Sequence, residues 1–175
     1  MRAKLHPRIS VTARWLLTIY IGLTLICTLF MHVAGMGWFD SLCHSMSTVS
    51  TGGFSTKQAS IAAFNSPAIE YVTTLFMFMG GINLSLLYLL IFKFRVRDMY
   101  RDSEFRTYLS IVLLFTAVIT VGLVFTSDMP VAESFRTALF QVVSIQTTTG
   151  FATANYVLWM PLLWLMLCAF MFFCA

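Results

Sequence analysis

Two short segments rich in hydroxyl groups and glycine carry the residues of this sequence best suited to binding an ion. Segment 47–56 reads STVSTGGFST and segment 144–153 reads SIQTTTGFAT, so that Gly53 aligns with Gly150 without a gap. A cation that leaves water needs oxygen atoms in place of its hydration shell, and rings of backbone carbonyls supply them in ion filters. Glycine permits φ angles that are closed to other residues, and serine and threonine hydroxyls add further oxygens. We therefore predict an ion-binding filter made by Ser50, Thr51, Gly52, Gly53, Thr147, Thr148, Thr149 and Gly150.

The chemistry of the two segments restricts the kind of ion. Neither segment contains a carboxylate, which makes a site for a divalent cation less favoured. An alternative interpretation is that these clusters of small residues only let membrane helices pack closely. Two aligned copies, each following a helix too short to cross a bilayer, favour the filter over this alternative.

The composition is that of an integral membrane protein. Of the 175 residues, 59% are hydrophobic and 10% are charged, whereas soluble domains carry about 25% charged residues. Nine of the eleven basic residues form two clusters on either side of apolar stretches, namely Arg2, Lys4, Arg8 and Arg14, and Lys93, Arg95, Arg97, Arg101 and Arg106. The positive-inside rule places both clusters in the cytoplasm, so the net charge of +4 indicates topology and not nucleic-acid binding.

The filter segments are predicted to lie between membrane spans. Residues 1–106 are divided into a span at 11–36, a pore helix at 40–49, a filter at 50–54, a span at 67–92 and a cytoplasmic loop at 93–106. Residues 107–175 repeat this order with a span at 107–126, a pore helix at 131–146, a filter at 147–151 and a partial span at 156–175. A helix of about ten residues rises roughly 15 Å, half the hydrocarbon thickness. The predicted fold is an all-α membrane protein of span–pore helix–filter–span repeats with re-entrant pore loops.

Several side chains are expected to support these elements. Asp40 or Ser41 is expected to cap the first pore helix. Phe54 and Phe151 are expected to pack behind the two filter turns and hold them.

Two basic residues lie outside the cytoplasmic clusters. Arg136 is expected to pair with Glu133 at the i, i+3 spacing of a helix. Lys57, just past the first filter, is expected to be solvated, with an influence on ions at the outer mouth as the alternative.

The cysteines and histidines show no spacing typical of catalysis or metal binding. A membrane enzyme or metal site that uses His32, His44 or Cys43 is disfavoured, since no acid–base pair or ligand spacing accompanies them. We expect no enzyme activity and no cofactor.

Four stretches resemble one known family. Segments 50–56 (STGGFST), 64–70 (FNSPAIE) and 76–83 (FMFMGGIN) resemble the second repeat of Trk-type bacterial potassium uptake proteins, and 147–153 (TTTGFAT) resembles the filter of the third. The resemblance implies a potassium transporter of four such repeats around a pseudo-fourfold pore, of which this chain carries about 1.7. It implies potassium-coordinating carbonyls at Ser50, Thr51, Thr147 and Thr148, with Gly53 and Gly150 as the filter glycines.

The expected setting is a bacterial inner membrane, with several spans and a cytoplasmic N-terminus. The expected partners are the lipid bilayer, the remaining repeats of the parent transporter and a second copy in a homodimer. The resemblance also implies a cytoplasmic nucleotide-binding regulatory subunit. A sodium-permeant or nonselective cation pore, and a non-conducting fragment of such a transporter, remain as alternatives.

Overall fold

The structure is a computed structural model, which describes residues 9–82, 102–126, 130–154, 159 and 161–174. All regular elements in this part of the chain are helices. They are α1 (Ile9–Val33), α2 (Trp38–Val49), a 3-10 turn (Ser60–Phe64), α3 (Pro67–Gly80), α4 (Ser103–Thr126), α5 (Val131–Gln146) and α6 (Pro161–Cys174).

Helices α1 and α4 differ from α2 and α5 in length and in surroundings. Arg14–Val33 of α1 and Ser103–Thr126 of α4 are long and apolar enough to cross a membrane. They expose many large apolar side chains, as helices in contact with lipid do, among them Leu17, Leu25, Leu29, Leu113, Leu114 and Phe125. Helix α2 has 12 residues and α5 has 16, which correspond to roughly 18 and 24 Å. Both are shorter than the roughly 30 Å hydrocarbon core.

Each short helix packs against the long helix that precedes it. Helix α2 lies on α1, α5 lies on α4, and α3 joins the two pairs by packing against α5, α2 and α1. The α1–α2 contact includes a buried 2.5 Å hydrogen bond between the hydroxyls of Thr28 and Ser45, the kind of polar link that holds helices together in membranes. Fully buried apolar side chains from both pairs and from α3, such as Met31, Phe140 and Met77, form one continuous core.

The first short helix begins earlier than the sequence predicts. Helix α2 starts at Trp38 with Gly37 at the N-cap, so the prediction of Asp40 or Ser41 as the cap is wrong. Asp40 instead lies in the first turn, where its carboxylate accepts a 2.6 Å hydrogen bond from the Thr56 hydroxyl. The bond joins the Asp40 side chain to the segment that follows the filter, and the carboxylate does not cap the helix.

Helix α4 also starts earlier, at Ser103, within the predicted loop 93–106. The reason is a local cap, because Asp102 Oδ1 accepts hydrogen bonds from the backbone N–H groups of Glu104 and Phe105 at 2.8 and 3.3 Å. Helix α3 ends at Gly80, and the rest of the predicted span 67–92 beyond residue 82 lies outside the described residues, as does most of the predicted loop. Helix α6 begins at Pro161, inside the predicted partial span 156–175.

Candidate functional site

The two filter segments leave their helices with the same backbone conformation. Thr51 and Thr148, at equivalent positions, have left-handed φ values of 51° and 56°. Gly53 and Gly150, also equivalent, have φ values of 69° and 81°. A left-handed conformation costs a non-glycine residue on the order of 1–3 kcal/mol. The same strain at two matching threonines therefore points to a shared functional requirement.

The backbone hydrogen bonds of the two turns match as well. The N–H of Thr51 donates to the carbonyl of Thr48 at 3.1 Å, and that of Thr148 donates to Ile145 at 3.0 Å. One residue later, Gly52 donates to Ser47 at 2.8 Å and Thr149 donates to Ser144 at 2.9 Å. These bonds satisfy carbonyls that a helix end otherwise leaves unpaired. The repeat visible in the sequence is thus a repeat of three-dimensional structure.

The two turns touch each other. A Cβ atom placed on Gly53 would overlap the backbone carbonyl oxygen of Thr149. A Cβ atom on Gly150 would meet no atom within 4 Å. The first glycine is therefore required both by its φ angle and by the approach of the second turn, whereas Gly150 is required by its φ angle alone.

The end of α3 packs against the second turn. A Cβ atom on Gly81 would lie 2.6 Å from Thr147 Cγ2 and 2.7 Å from the Tyr108 hydroxyl oxygen. The φ of Gly81 is −80°, which any residue adopts. Glycine is needed at this position for space and not for conformation.

Alanine at Gly81 is expected to displace the Thr147 side chain and disturb the second turn. Overpacking of this kind costs about 1–3 kcal/mol. We expect a lower melting temperature of the purified protein. The double variant Gly81→Ala/Thr147→Ser, which removes the Cγ2 atom of the collision, is expected to recover part of the loss. A double variant no more stable than Gly81→Ala would show that this contact does not limit the packing.

The two phenylalanines that follow the filter glycines have different surroundings. Phe151 is 1% exposed and packs in the core, as the sequence predicts. The Ser144 hydroxyl donates to its carbonyl at 2.7 Å. Phe54 is 81% exposed, so the prediction that it packs behind its turn is wrong within the described part of the chain. Phe151 is covered by elements from both repeats, and Phe54 has no such cover there.

Removal of the Ser144 hydroxyl is expected to release the Phe151 carbonyl at the exit of the second turn. Loss of one buried hydrogen bond costs about 1 kcal/mol. We expect Ser144→Ala to lower the free energy of unfolding of the protein by about 1 kcal/mol, measured by thermal denaturation. Thr18→Ala is a suitable control, because the Thr18 hydroxyl is exposed and donates to the Arg14 carbonyl of its own helix. Equal effects of the two substitutions would contradict a specific role for Ser144.

His44 lies at the centre of the contact between the repeats. Its Nδ1 pairs with the Asp40 carbonyl at 2.7 Å and its Nε2 with the Ser55 hydroxyl at 2.9 Å. The ring lies 5.4 Å from Phe64 and 5.9 Å from Phe151. The sequence offered no direct signal for this role, although the position of His44 in the repeat could have been compared with its counterpart Gln141.

The other histidine considered as a ligand has a different environment. His32 stacks on Trp38 with ring centroids 3.9 Å apart, and its Nδ1 pairs with the Met36 carbonyl at 2.9 Å. Among the residues that the structure describes, no three His, Cys, Asp or Glu side chains come together as a metal site.

A small charged cluster lies at the start of α2. Lys57 Nζ is 3.7 Å from Asp40 Oδ2, and nearly half of the lysine side chain is exposed. The hydrogen bond from Thr56 holds the pKa of Asp40 below its ordinary value, and the positive charge of Lys57 adds to this effect. The cluster ties the start of the short helix to the segment that leaves its filter.

Arg136 has a partner other than the one that the sequence predicts. Its Nε lies 2.6 Å from Glu70 Oε2, which joins α5 to α3. The predicted pairing with Glu133 is wrong, because tertiary packing brings a carboxylate from a distant helix closer than the one on the same helix. Both side chains are largely removed from solvent.

Comparisons with known proteins agree with one another. A family model, TrkH, described as a cation transport protein, matches residues 2–175. The chain is 41% identical over 157 residues to the Trk system potassium uptake protein TrkH of Halomonas elongata. This alignment covers 90% of the chain and 33% of the Halomonas protein. It is 38% identical over 176 residues to the protein of the same name from Escherichia coli K12, with coverage of 98% and 36%.

A solved structure gives the same picture. The crystal structure of the potassium transporter TrkH from Vibrio parahaemolyticus matches with a TM-score of 0.89 and 34% identity, covering 96% of this chain and 36% of that one. The chain therefore spans about a third of the length of the relatives that it matches.

Proposed function

The chain belongs to the TrkH family of cation transport proteins, and from this premise we propose that it supplies two pore-loop repeats of a potassium uptake transporter. It is an all-α membrane protein of the pore-loop type. The proposed potassium filter has loops 50–54 and 147–151 as two of its walls. The observation that carries the proposal is the repeated turn, with the same strained φ angles and the same backbone hydrogen bonds in both copies.

The proposed ligands are backbone carbonyls, chiefly those of Ser50, Thr51, Thr147 and Thr148, with Gly52, Gly53, Thr149 and Gly150 completing the loops. The Thr147 hydroxyl donates to the Val143 carbonyl at 2.8 Å and also pairs with Thr149. Because this hydroxyl is used within the loop, the carbonyl is the group left for an ion.

The electrostatics of the site favour a monovalent cation. Helices α2 and α5 end at the two loops, and the C-terminal end of a helix carries a partial negative charge. Broken or half-length helices place this end near cations in other transporters. Since the loops contain no carboxylate, the field is weak enough for a potassium ion to exchange its water for carbonyl oxygens and leave again.

The proposed setting follows from the topology. Loops that re-enter from the outside of a bacterial inner membrane leave the N-terminus and both basic clusters in the cytoplasm. Other repeats supply the remaining walls, and the lipid bilayer surrounds the exposed faces of α1 and α4. A homodimer and a nucleotide-binding regulatory subunit on the cytoplasmic side belong to the same proposal. The relatives are named as proteins of a Trk system, which supports a transporter of several components.

An ion-flux measurement tests the proposal. The transporter that contains this chain is reconstituted in liposomes, and its permeability to potassium is compared with that to sodium. We expect potassium to be preferred. Equal permeability would contradict the potassium filter and favour a nonselective pore, in keeping with Thr149 at the position where the first loop has Gly52.

A further inference from the structure

An apolar groove lies where three helices meet, at the seam between the two repeats. It has a volume of about 290 Å³, and its walls come from α3, α4 and α5. The lining side chains that the structure describes are apolar, apart from the hydroxyls of Tyr71 and Thr74. The Thr74 hydroxyl is already used, since it donates to the Glu70 carbonyl of its own helix at 2.7 Å. The groove therefore offers packing surface and few groups for hydrogen bonding.

This lining favours a hydrocarbon over water as the occupant of the groove. An ordered water molecule needs two to four polar partners, and cavities with apolar walls stay dry. A cavity of about 150 Å³ with such walls holds one benzene molecule. Roughly twice that volume corresponds to a hydrocarbon of about a dozen carbon atoms.

The groove opens on a surface at membrane depth. Leu75 of α3 and Leu113 of α4 both line it, and these side chains are 55% and 57% exposed. Helix α4 is long and apolar enough to cross a membrane, and Leu113 lies near its middle. The medium outside the groove at this depth is the hydrocarbon of the bilayer.

The seam that contains the groove is complete within this chain. Helix α3 ends the first repeat, and α4 and α5 begin the second. In a ring of repeats, further repeats adjoin α1 and α2 on one side and α6 on the other. The open side of the groove is therefore left to lipid. This step rests on the proposed function, because it assumes that ring.

The inner wall of the groove belongs to the second pore helix. Val143 of α5 lines the groove and is otherwise buried. Its carbonyl accepts two hydrogen bonds from Thr147, one from the N–H at 2.9 Å and one from the hydroxyl at 2.8 Å. Thr147 begins the second filter loop. An occupant of the groove therefore contacts the helical turn that holds this loop.

We propose that the groove binds one acyl chain of a membrane phospholipid, and that this chain supports the second pore helix behind its filter loop. A chain in the groove packs against protein on three sides, so it makes many more dispersion contacts than a chain on the open face of a helix. It therefore exchanges with the bilayer more slowly than the lipid around the exposed faces of α1 and α4.

The ends of the groove indicate how the lipid is oriented. From Tyr71 to Phe78 the wall rises about 10 Å along α3, which fits within one half of the roughly 30 Å hydrocarbon core. Tyr71 is 47% exposed and follows Glu70 of the Glu70–Arg136 pair. Tyrosine is typical of the boundary between hydrocarbon and headgroups. The headgroup therefore lies beside Tyr71, which is the outer leaflet in the proposed topology.

Photolabelling of the intact transporter tests the proposal. The protein is reconstituted in vesicles of phosphatidylethanolamine and phosphatidylglycerol, in which some phosphatidylethanolamine carries a diazirine in its acyl chain. It is solubilised, washed with detergent to remove loosely held lipid, and irradiated. We expect adducts at Leu75 and Leu113 about tenfold or more as often as at Val121, because the enclosed chain has more contacts to keep it bound. Val121 is a matched control, since it lies on α4 and is 54% exposed. Equal yields at the three positions would overturn the proposal. No adduct at either wall, as when a second copy or another protein segment fills the groove, would overturn it as well.

Tryptophan substitutions test whether the chain occupies the groove itself. Leu113→Trp places an indole ring in the groove, and Leu75→Trp does so from the other wall if the first variant fails to fold. We expect each variant to lose most of the adduct at the remaining leucine, whereas Val121→Trp keeps it. Phospholipid added back to washed protein should raise the melting temperature of wild type and of Val121→Trp and leave that of Leu113→Trp unchanged. A full adduct yield at Leu75 in folded Leu113→Trp, or equal rises in the melting temperature, would overturn the proposal.

These outcomes separate the lipid site from the proposed function. If the groove gives no adduct while potassium is still preferred over sodium, the lipid site fails and the filter assignment stands. If the groove is labelled while Gly53→Ala transports normally, the filter assignment fails and the lipid site stands.

Discussion

Alanine in place of Gly53 is expected to reduce potassium uptake by the intact transporter about tenfold or more, since a cost of about 1.4 kcal/mol corresponds to a factor of ten. Two effects combine at this position. The φ of 69° is unfavourable for alanine, at a cost of roughly 1–2 kcal/mol. The added methyl group also overlaps the Thr149 carbonyl oxygen. That oxygen belongs to the backbone of the second loop, so it moves only if the second wall of the proposed filter moves. Potassium uptake and the potassium-to-sodium permeability ratio of reconstituted protein measure the effect.

Two other glycines provide matched controls for this substitution. Gly150→Ala meets no atom within 4 Å but has a φ of 81°, so it should cost the conformational part alone and impair uptake less than Gly53→Ala. Gly22→Ala lies within α1 and also meets no atom within 4 Å. It should transport normally, because alanine is the better helix former. If the Gly53→Ala protein folds and shows normal potassium uptake and selectivity, the assignment of Gly53 to a potassium filter is wrong.

Loss of one member of the Glu70–Arg136 pair is expected to destabilise the protein by about 1–3 kcal/mol, the range for hydrogen bonds to charged groups and for buried polar groups left unpaired. The pair joins α3 to α5 at 2.6 Å, and both side chains are mostly buried. Arg136→Gln leaves the Glu70 carboxylate without its cation in a partly dehydrated place. We expect a clear fall in the melting temperature of the purified protein and in the amount that reaches the membrane.

Charge reversal tests whether the loss of stability comes from breaking the Glu70–Arg136 pair or from a general effect of substituting either residue. Glu70→Arg and Arg136→Glu are each expected to be more harmful than Arg136→Gln, because each places like charges side by side. The double variant should regain part of the loss, since it restores opposite charges. Glu133→Gln is the control, because Glu133 is the partner that the sequence suggested. If Glu133→Gln were as harmful as Glu70→Gln, the observed pairing would not be the one that stabilises the protein.

The closeness of the two loops has a consequence for ion selectivity. The approach of the Thr149 carbonyl to Gly53 means that the two proposed walls of the filter support each other directly. A filter held in this way has its carbonyl positions set by contacts between repeats as well as by the helix on which each loop is mounted. Substitutions at the contact, such as Gly53→Ala, should therefore affect selectivity more than substitutions on the exposed faces of α1 and α4.

The sequence determined the features that depend on neighbours along the chain. The repeated turns were predictable because a helix end, hydroxyl residues and a glycine at fixed spacing set the local backbone, and the structure gives Thr51 and Thr148 the same strained conformation. The two long apolar helices were predictable from composition, although the Asp102 cap moved the start of α4 by a few residues.

The tertiary structure decided which distant groups meet. Arg136 pairs with Glu70 instead of Glu133 because the packing of α3 on α5 brings that carboxylate within hydrogen-bond distance. Phe54 and Phe151 occupy equivalent positions in nearly identical motifs, yet one is exposed and the other buried. Their burial depends on which segment of another repeat lies against them, and no pattern within either motif contains that information. The two turns were thus defined by local sequence, whereas the contact that makes them one candidate site arises only when the helices that carry them pack together.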